Sequence, residues 1–123
     1  MRIFKTKTFN KWAKKNRISD SSLIEGVLEL EAGSYEANLG GNLYKKRLAT
    51  KGRGKRGSTR TIIAYKIKGH SFYLYGFEKS ERSSISNSEE RALKLIAKGI
   101  LSKIDEELSE LVDKGSLFEV DYE

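Results

Sequence analysis

The sequence predicts an α+β domain, and three observations carry that reading. Residues 43–49, 60–68 and 71–78 follow one another, and each alternates or runs rich in Ile, Tyr, Phe and Leu, as strands do. Two helical patterns precede this run, and a third with its own start signal follows it. The 123 residues, 37% of them hydrophobic, suffice for one core and give no sign of a second. The expected order is β-α-α-β-β-β-α, an antiparallel sheet of roughly four strands packed against helices.

The elements are justified in chain order. Residues 2–7 set Ile3 and Lys5 against Phe4 as a short strand. Thr8 can cap a helix whose apolar members are Phe9, Trp12 and Ala13, with Lys11, Lys14 and Lys15 facing water. Ser22 and Glu25 have capping-box spacing ahead of Leu23, Ile24, Val27, Leu28 and Leu30, and Gly33 is a natural stop. Residues 37–42, with Gly40 and Gly41 among them, have turn composition. Three strands then form a meander, the last two joined through Lys68, Gly69 and His70. Ser86 and Glu89 open a helix in which Leu93, Ile96, Ala97, Ile100, Leu101 and Ile104 fall on one stripe. Residues 105–113 continue that helix or start a second, Gly115 ends it, and residues 117–120 suit a last short strand. The acidic helical stretch of about 86–115 reads as a C-terminal extension of the domain spanning 1–123.

Composition limits the chemistry. The absence of cysteine removes disulfides, thiolate metal sites and a cysteine nucleophile, and fits a reducing compartment, with cytoplasm expected. A lone histidine, His70 at a turn, leaves no His-based acid and base pair and reads as an ordinary turn residue. No metal site or cofactor is expected. No apolar run approaches the roughly 18 residues of a membrane span, and the start lacks the apolar core of a signal peptide. The net charge of +7 is unevenly spread: +6 over residues 1–20, −4 over 21–41, +10 over 42–82 and −5 over 83–123. A block of +10 between acidic ones concentrates a positive field that attracts polyanions: RNA, DNA or an acidic protein.

Within that block the strand period of two puts Lys45 and Arg47 on one face with Leu43, and Tyr44, Lys46 and Leu48 on the other. The following stretch, T-K-G-R-G-K-R-G-S-T-R, allows two readings: a solvated hairpin loop, or a phosphate site. In the second, Gly52, Gly54 and Gly57 let backbone N–H groups approach an anion while Lys51, Arg53, Lys55 and Arg56 supply charge. It lacks the lysine of a Walker loop, so ATP is unsupported. Arg60 opens the next strand with a planar fork suited to phosphate. Lys79, Glu81 and Arg82 follow the third strand, so three strands deliver cations toward one region. Tyr65, Tyr73 and Tyr75 are candidates for stacking on bases, against the commoner role of half-buried packing.

The element order, the strand L-Y-K-K-R-L-A, the loop K-G-R-G-K-R-G-S-T-R-T-I-I-A-Y and the closing G-F-E-K-S-E-R resemble the RelE/ParE superfamily of type II toxins, nearest its HigB-like branch, over residues 2–100. The resemblance implies a metal-independent toxin that enters the ribosomal A site and cleaves messenger RNA. It further implies an adjacently encoded, DNA-binding antitoxin that holds the toxin inactive. In the family, two basic residues on the strand before the loop and an arginine opening the next contact the scissile phosphate; here these match Lys45, Arg47 and Arg60. Lys79 and Arg82 match basic residues that complete the site. The chain departs from RelE proper in having Ser80 where RelE has arginine and Ser86 where RelE has tyrosine, with Tyr75 or Glu81 as candidate substitutes.

Read as an endoribonuclease, the chain offers Lys45 or Glu81 for proton transfer and Arg47 and Arg60 for stabilising charge, with Lys51, Arg53, Lys55, Arg56, Tyr65 and Tyr75 as the expected RNA-binding residues. Two alternatives stand beside it: a non-catalytic RNA or ribosome binder, which the composition supports equally, and a ParE-type gyrase inhibitor, against which the basic set argues. A purely structural interaction protein is the remaining class. Ribosome, messenger RNA and antitoxin are the expected partners.

Overall fold

The computed structural model describes residues 1–49 and 59–121. Its elements are β1 (Ile3–Thr6), α1 (Lys7–Lys15), α2 (Asp20–Glu31), β2 (Ala37–Gly40), β3 (Leu43–Arg47), β4 (Thr59–Tyr65), β5 (Ser71–Glu78), α3 (Asn87–Leu101), α4 (Asp105–Asp113) and β6 (Leu117–Glu119). The α+β class and the order of the main elements agree with the sequence reading.

The sheet is larger than expected and mixed. Its strand order is β2-β3-β4-β5-β1-β6, and β1 pairs with β5 in parallel while every other pair is antiparallel. The N-terminal strand therefore inserts between β5 and β6, a pairing between segments about 70 residues apart that no local pattern encodes. The extra edge strand, β2, lies in the stretch whose glycines predict only a turn. Gly41 and Asn42, at φ 63° and 64°, supply a tight turn of the primed type, which folds residues 37–40 back onto β3.

Helices α1, α2 and α3 each start where a hydroxyl can take a free N–H of the first turn. The Thr6 side chain accepts from Phe9 N, so α1 begins at Lys7 rather than after Thr8. Ser19 does the same for α2 by accepting from Ser22 N, one turn ahead of the expected start. Ser86 and Glu89 form the expected capping box of α3. Helices α3 and α4 are separate, with the Ile104 N–H donating to Glu107 at the start of α4.

Both sheet faces are covered. Ile3, Phe9, Leu23, Val27, Ile63 and Tyr73 belong to the core under α1 and α2. Phe4, Leu43, Ile62, Phe72, Leu93 and Leu108 belong to the core under α3 and α4. Successive residues Ile3 and Phe4, and Ile62 and Ile63, thus serve opposite cores, which is why β4 is buried throughout and residues 62–65 are a continuous apolar run. Of the stripe expected on α3, Leu93, Ala97 and Ile100 are buried while Ile96 and Ile104 are exposed.

Candidate functional site

The Cα register across β3, β4 and β5 builds the site. Arg47 lies opposite Arg60, and Arg60 opposite Phe77; one step along, Lys45 lies opposite Ile62, and Ile62 opposite Tyr75. All six side chains share the sheet face that carries α3. The β4–β5 register shifts between Ile62 and Ile63, leaving Leu74 as the extra residue. That bulge sets Tyr75 on the cationic face, whereas simple alternation would pair it with Tyr73.

Like charges directly opposite on neighbouring strands repel, so an Arg47–Arg60 pair beside Lys45 requires a counter-charge. Glu36, just before β2, supplies it. Both of its carboxylate oxygens lie 3.0 Å from Arg60 Nε, and Oε1 lies 3.5 Å from Lys45 Nζ. The Glu36 N–H donates to the Lys45 carbonyl at 2.8 Å, which ties this residue to β3 through the main chain. Partial burial raises the Glu36 pKa, but the hydrogen bond and charge of Arg60, with those of Lys45, outweigh it and hold the carboxylate below its ordinary value. Arg60 is 5% exposed, whereas Arg47 is open to solvent.

Beyond β5, the chain turns through Lys79 and Glu81, both exposed, with Arg82 N–H donating to the Glu78 carbonyl. The Arg82 guanidinium reaches back to the sheet. It donates to Tyr75 Oη at 3.2 Å, makes a two-pronged contact with Glu89 at 2.5 and 3.1 Å, and lies 5.9 Å from the Phe77 ring centre. Arg82, assisted by hydrogen bonds from Ser86, lowers the Glu89 carboxyl to about 2. The capping box of α3 thus also orients a site arginine. The site brings together Lys45, Arg47, Arg60 and Arg82, with Glu36 and Glu89 as their counter-ions.

Residues 1–120 match the family described as the RelE toxin of the RelE / RelB toxin-antitoxin system. The chain belongs to the RelE toxin family. The matched span runs past residue 100 and takes in α4 and β6. No individually curated protein matches the chain. Membership makes the chain the toxin of a toxin–antitoxin system and implies a cognate antitoxin. Among the described residues of this RelE-family toxin, no helix is long and apolar enough to cross a membrane.

The fold brings Lys45, Arg47, Arg60, Tyr75 and Arg82 of the sequence-derived set onto one face and leaves Lys79 and Glu81 on the neighbouring turn. Tyr65 is a correction: it is 7% exposed and packs in the core under α1 and α2, on the opposite face, so it has no surface on which a base could stack. Tyr73 is likewise buried, with its hydroxyl donating to the Leu23 carbonyl. Lys51, Arg53, Lys55 and Arg56 lie outside the described residues. Lys46, pointing to the α2 side, is buried and paired with Glu29 at 2.8 Å, which makes it part of the toxin's packing. The sequence reading missed Glu36 and the contact of Glu89 with the site. Recognising β2 would have exposed the first, because pairing Ala37 with Lys45 brings Glu36 beside the cations.

Proposed function

We propose that this RelE-family toxin is a ribosome-dependent messenger RNA endoribonuclease of the cytoplasm, of the HigB-like branch, working without metal or cofactor. The observation that supports it best is the cross-strand pair Arg47–Arg60 beside Lys45, a cluster of fixed cations of the kind a scissile phosphate needs. The 2′-oxygen attacks the adjacent phosphorus, the O2′–P bond forms as P–O5′ breaks, one proton leaves the 2′-hydroxyl and one is delivered to the 5′-oxygen. Arg47 and Arg60 face the phosphorane-like transition state, where charge is greatest. The Lys45 ammonium donates to the leaving 5′-oxygen, and the Glu36 carboxylate beside it accepts from the 2′-hydroxyl.

Glu36 is a weak base while Arg60 holds it. A phosphate that draws Arg60 away removes the main favourable interaction of the carboxylate and brings negative charge near it, and both changes raise its proton affinity toward the useful range. Arg82 and Tyr75 frame the same phosphate or its neighbouring base, with Lys79 and Glu81 on the rim.

The test is to express the toxin and its Arg47→Ala and Arg60→Ala variants and to map 5′ ends of messenger RNA in a translating extract. The expected result is cleavage phased to codons with wild type and a loss of about 100-fold or more in each folded variant. Growth arrest without new 5′ ends overturns the cleavage reading, and retained ribosome binding in that case indicates a binder.

A further inference from the structure

Helix α3 has a second face that the proposed nuclease site does not use. Leu93, Ala97 and Ile100 pack onto the sheet, while Arg91, Lys94, Leu95, Lys98 and Leu101 recur at helical spacing along another side. This side, with Lys66 and the β2–β3 turn at Gly41 and Asn42, walls a cleft of about 620 Å³. Leu95 is 73% exposed there. Lys94 is paired with Glu90 at 3.1 Å, whereas Lys66, Arg91 and Lys98 have no ion pair with the described residues.

A leucine that open to water, on a helix that packs through Leu93, Ala97 and Ile100, contributes little to packing in the monomer. The cleft is lined mostly by carbon, which forms its floor, and includes Lys66, Arg91, Lys94 and Lys98, long side chains whose charged ends reach for water at its rim. Phosphate backbone would match the rim and leave the floor wet. An amphipathic helix with acidic residues flanking apolar ones at i, i+3 or i+4 satisfies both, because its apolar side chains cover Leu95 and Leu101 while its carboxylates meet the rim. The cleft lies at the Leu43 end of β3, four residues and roughly 13 Å from Arg47.

We propose that this cleft is a docking site for an acidic, amphipathic helical segment of the cognate antitoxin, anchored on Leu95 and separate from the cationic face of β3–β5. The inference rests on family membership and not on the cleavage reading. It accounts for the apolar floor, the basic rim and the exposure of Leu95 together.

The antitoxin expressed from the reading frame beside the toxin's is the probe. Leu95→Asp and Lys98→Glu change exposed side chains, and melting temperature verifies that the variants fold. Antitoxin affinity by titration calorimetry should fall about 30-fold in Leu95→Asp, the loss expected at an interface hot spot, and further in the double variant. Both variants should stop growth and resist neutralisation by co-expressed antitoxin. Arg47→Ala, by contrast, should bind antitoxin with unchanged affinity whether or not the toxin cleaves RNA, so the two readings fail separately. Affinity within threefold of wild type in the double variant overturns the proposal. Unchanged antitoxin binding with weakened binding to purified ribosomes overturns it in favour of an RNA-facing surface.

Discussion

Glu36 shows how a single acidic side chain organises a cationic site. Arg47, Arg60 and Lys45 are held close by the register of β3 and β4, and without a carboxylate among them their repulsion would splay the strands or rotate the side chains away. Glu36→Gln separates the consequences. Removing one negative charge should strengthen nonspecific binding to single-stranded RNA by severalfold at low salt and steepen its salt dependence. In the proposed mechanism cleavage should fall by about 100-fold, because that mechanism assigns Glu36 as proton acceptor and Arg60 loses its orienting partner. Fluorescence anisotropy with a labelled oligonucleotide and a single-turnover cleavage assay read the two effects. Parallel loss of binding and cleavage would show instead that Glu36 acts only through the fold. At the same scale, the Arg82–Glu89 contact joins helix capping to the site, since one carboxylate serves the Ser86 N–H and the guanidinium together.

At the scale of elements, β5 is where local pattern and actual facing part. A strand period of two would put Tyr73, Tyr75 and Phe77 on one face, but the bulge at Leu74 places Leu74, Tyr75 and Phe77 with the α3 core while Tyr73 stays with the α1 and α2 core. Gly76 completes the arrangement on the other side. The Trp12 indole of α1 lies where a Cβ on Gly76 would stand, so this strand accepts the helix only without a side chain there. Gly76→Ala should cost about 1–3 kcal/mol, measured by urea unfolding. The loss should be smaller in a background of Trp12→Ala than in wild type, because the two changes act on one contact. An equal cost in both backgrounds would place the strain elsewhere.

At the scale of the whole molecule, the chain's two ends are clasped together. The Arg2 guanidinium bonds Glu119 and Asp105, and the Arg2 backbone N–H donates to His70 Nδ1, which leaves His70 Nε2 to donate to Asp105 at 2.8 Å. His70, an ordinary turn residue by composition, thereby connects the β4–β5 region with α4. The His70 and Arg2 contacts hold the Asp105 carboxyl below its usual range, and Arg2 does the same for Glu119. With Glu36 and Glu89 also lowered, the unfolded chain binds more protons than the folded one in acid. Stability should therefore be fully present above the ordinary carboxylate value of about 4.3 and decline as pH falls toward about 2. Melting temperatures from pH 7 to pH 2.5 measure this, and Arg2→Ala should show a shallower acid decline. A profile flat to pH 2.5 would contradict the clasp.

Several features were legible in the sequence because each rests on local chemistry. The capping box at Ser86 and Glu89, the burial of Leu93, Ala97 and Ile100, the alternation that aligns Lys45 with Arg47, and Arg60 at the opening of β4 all follow from backbone periodicity and hydrogen-bonding groups a few residues apart. Those patterns, with the concentrated positive charge, determined the α+β class and the cationic strand pair by themselves. Only the tertiary structure decided that β1 runs parallel to β5, that β2 folds back to bring Glu36 between Lys45 and Arg60, and that Tyr65 is core while Tyr75 joins the site. Each of those depends on which distant segments pair and in what register, and a one-residue bulge is enough to exchange the faces of a strand.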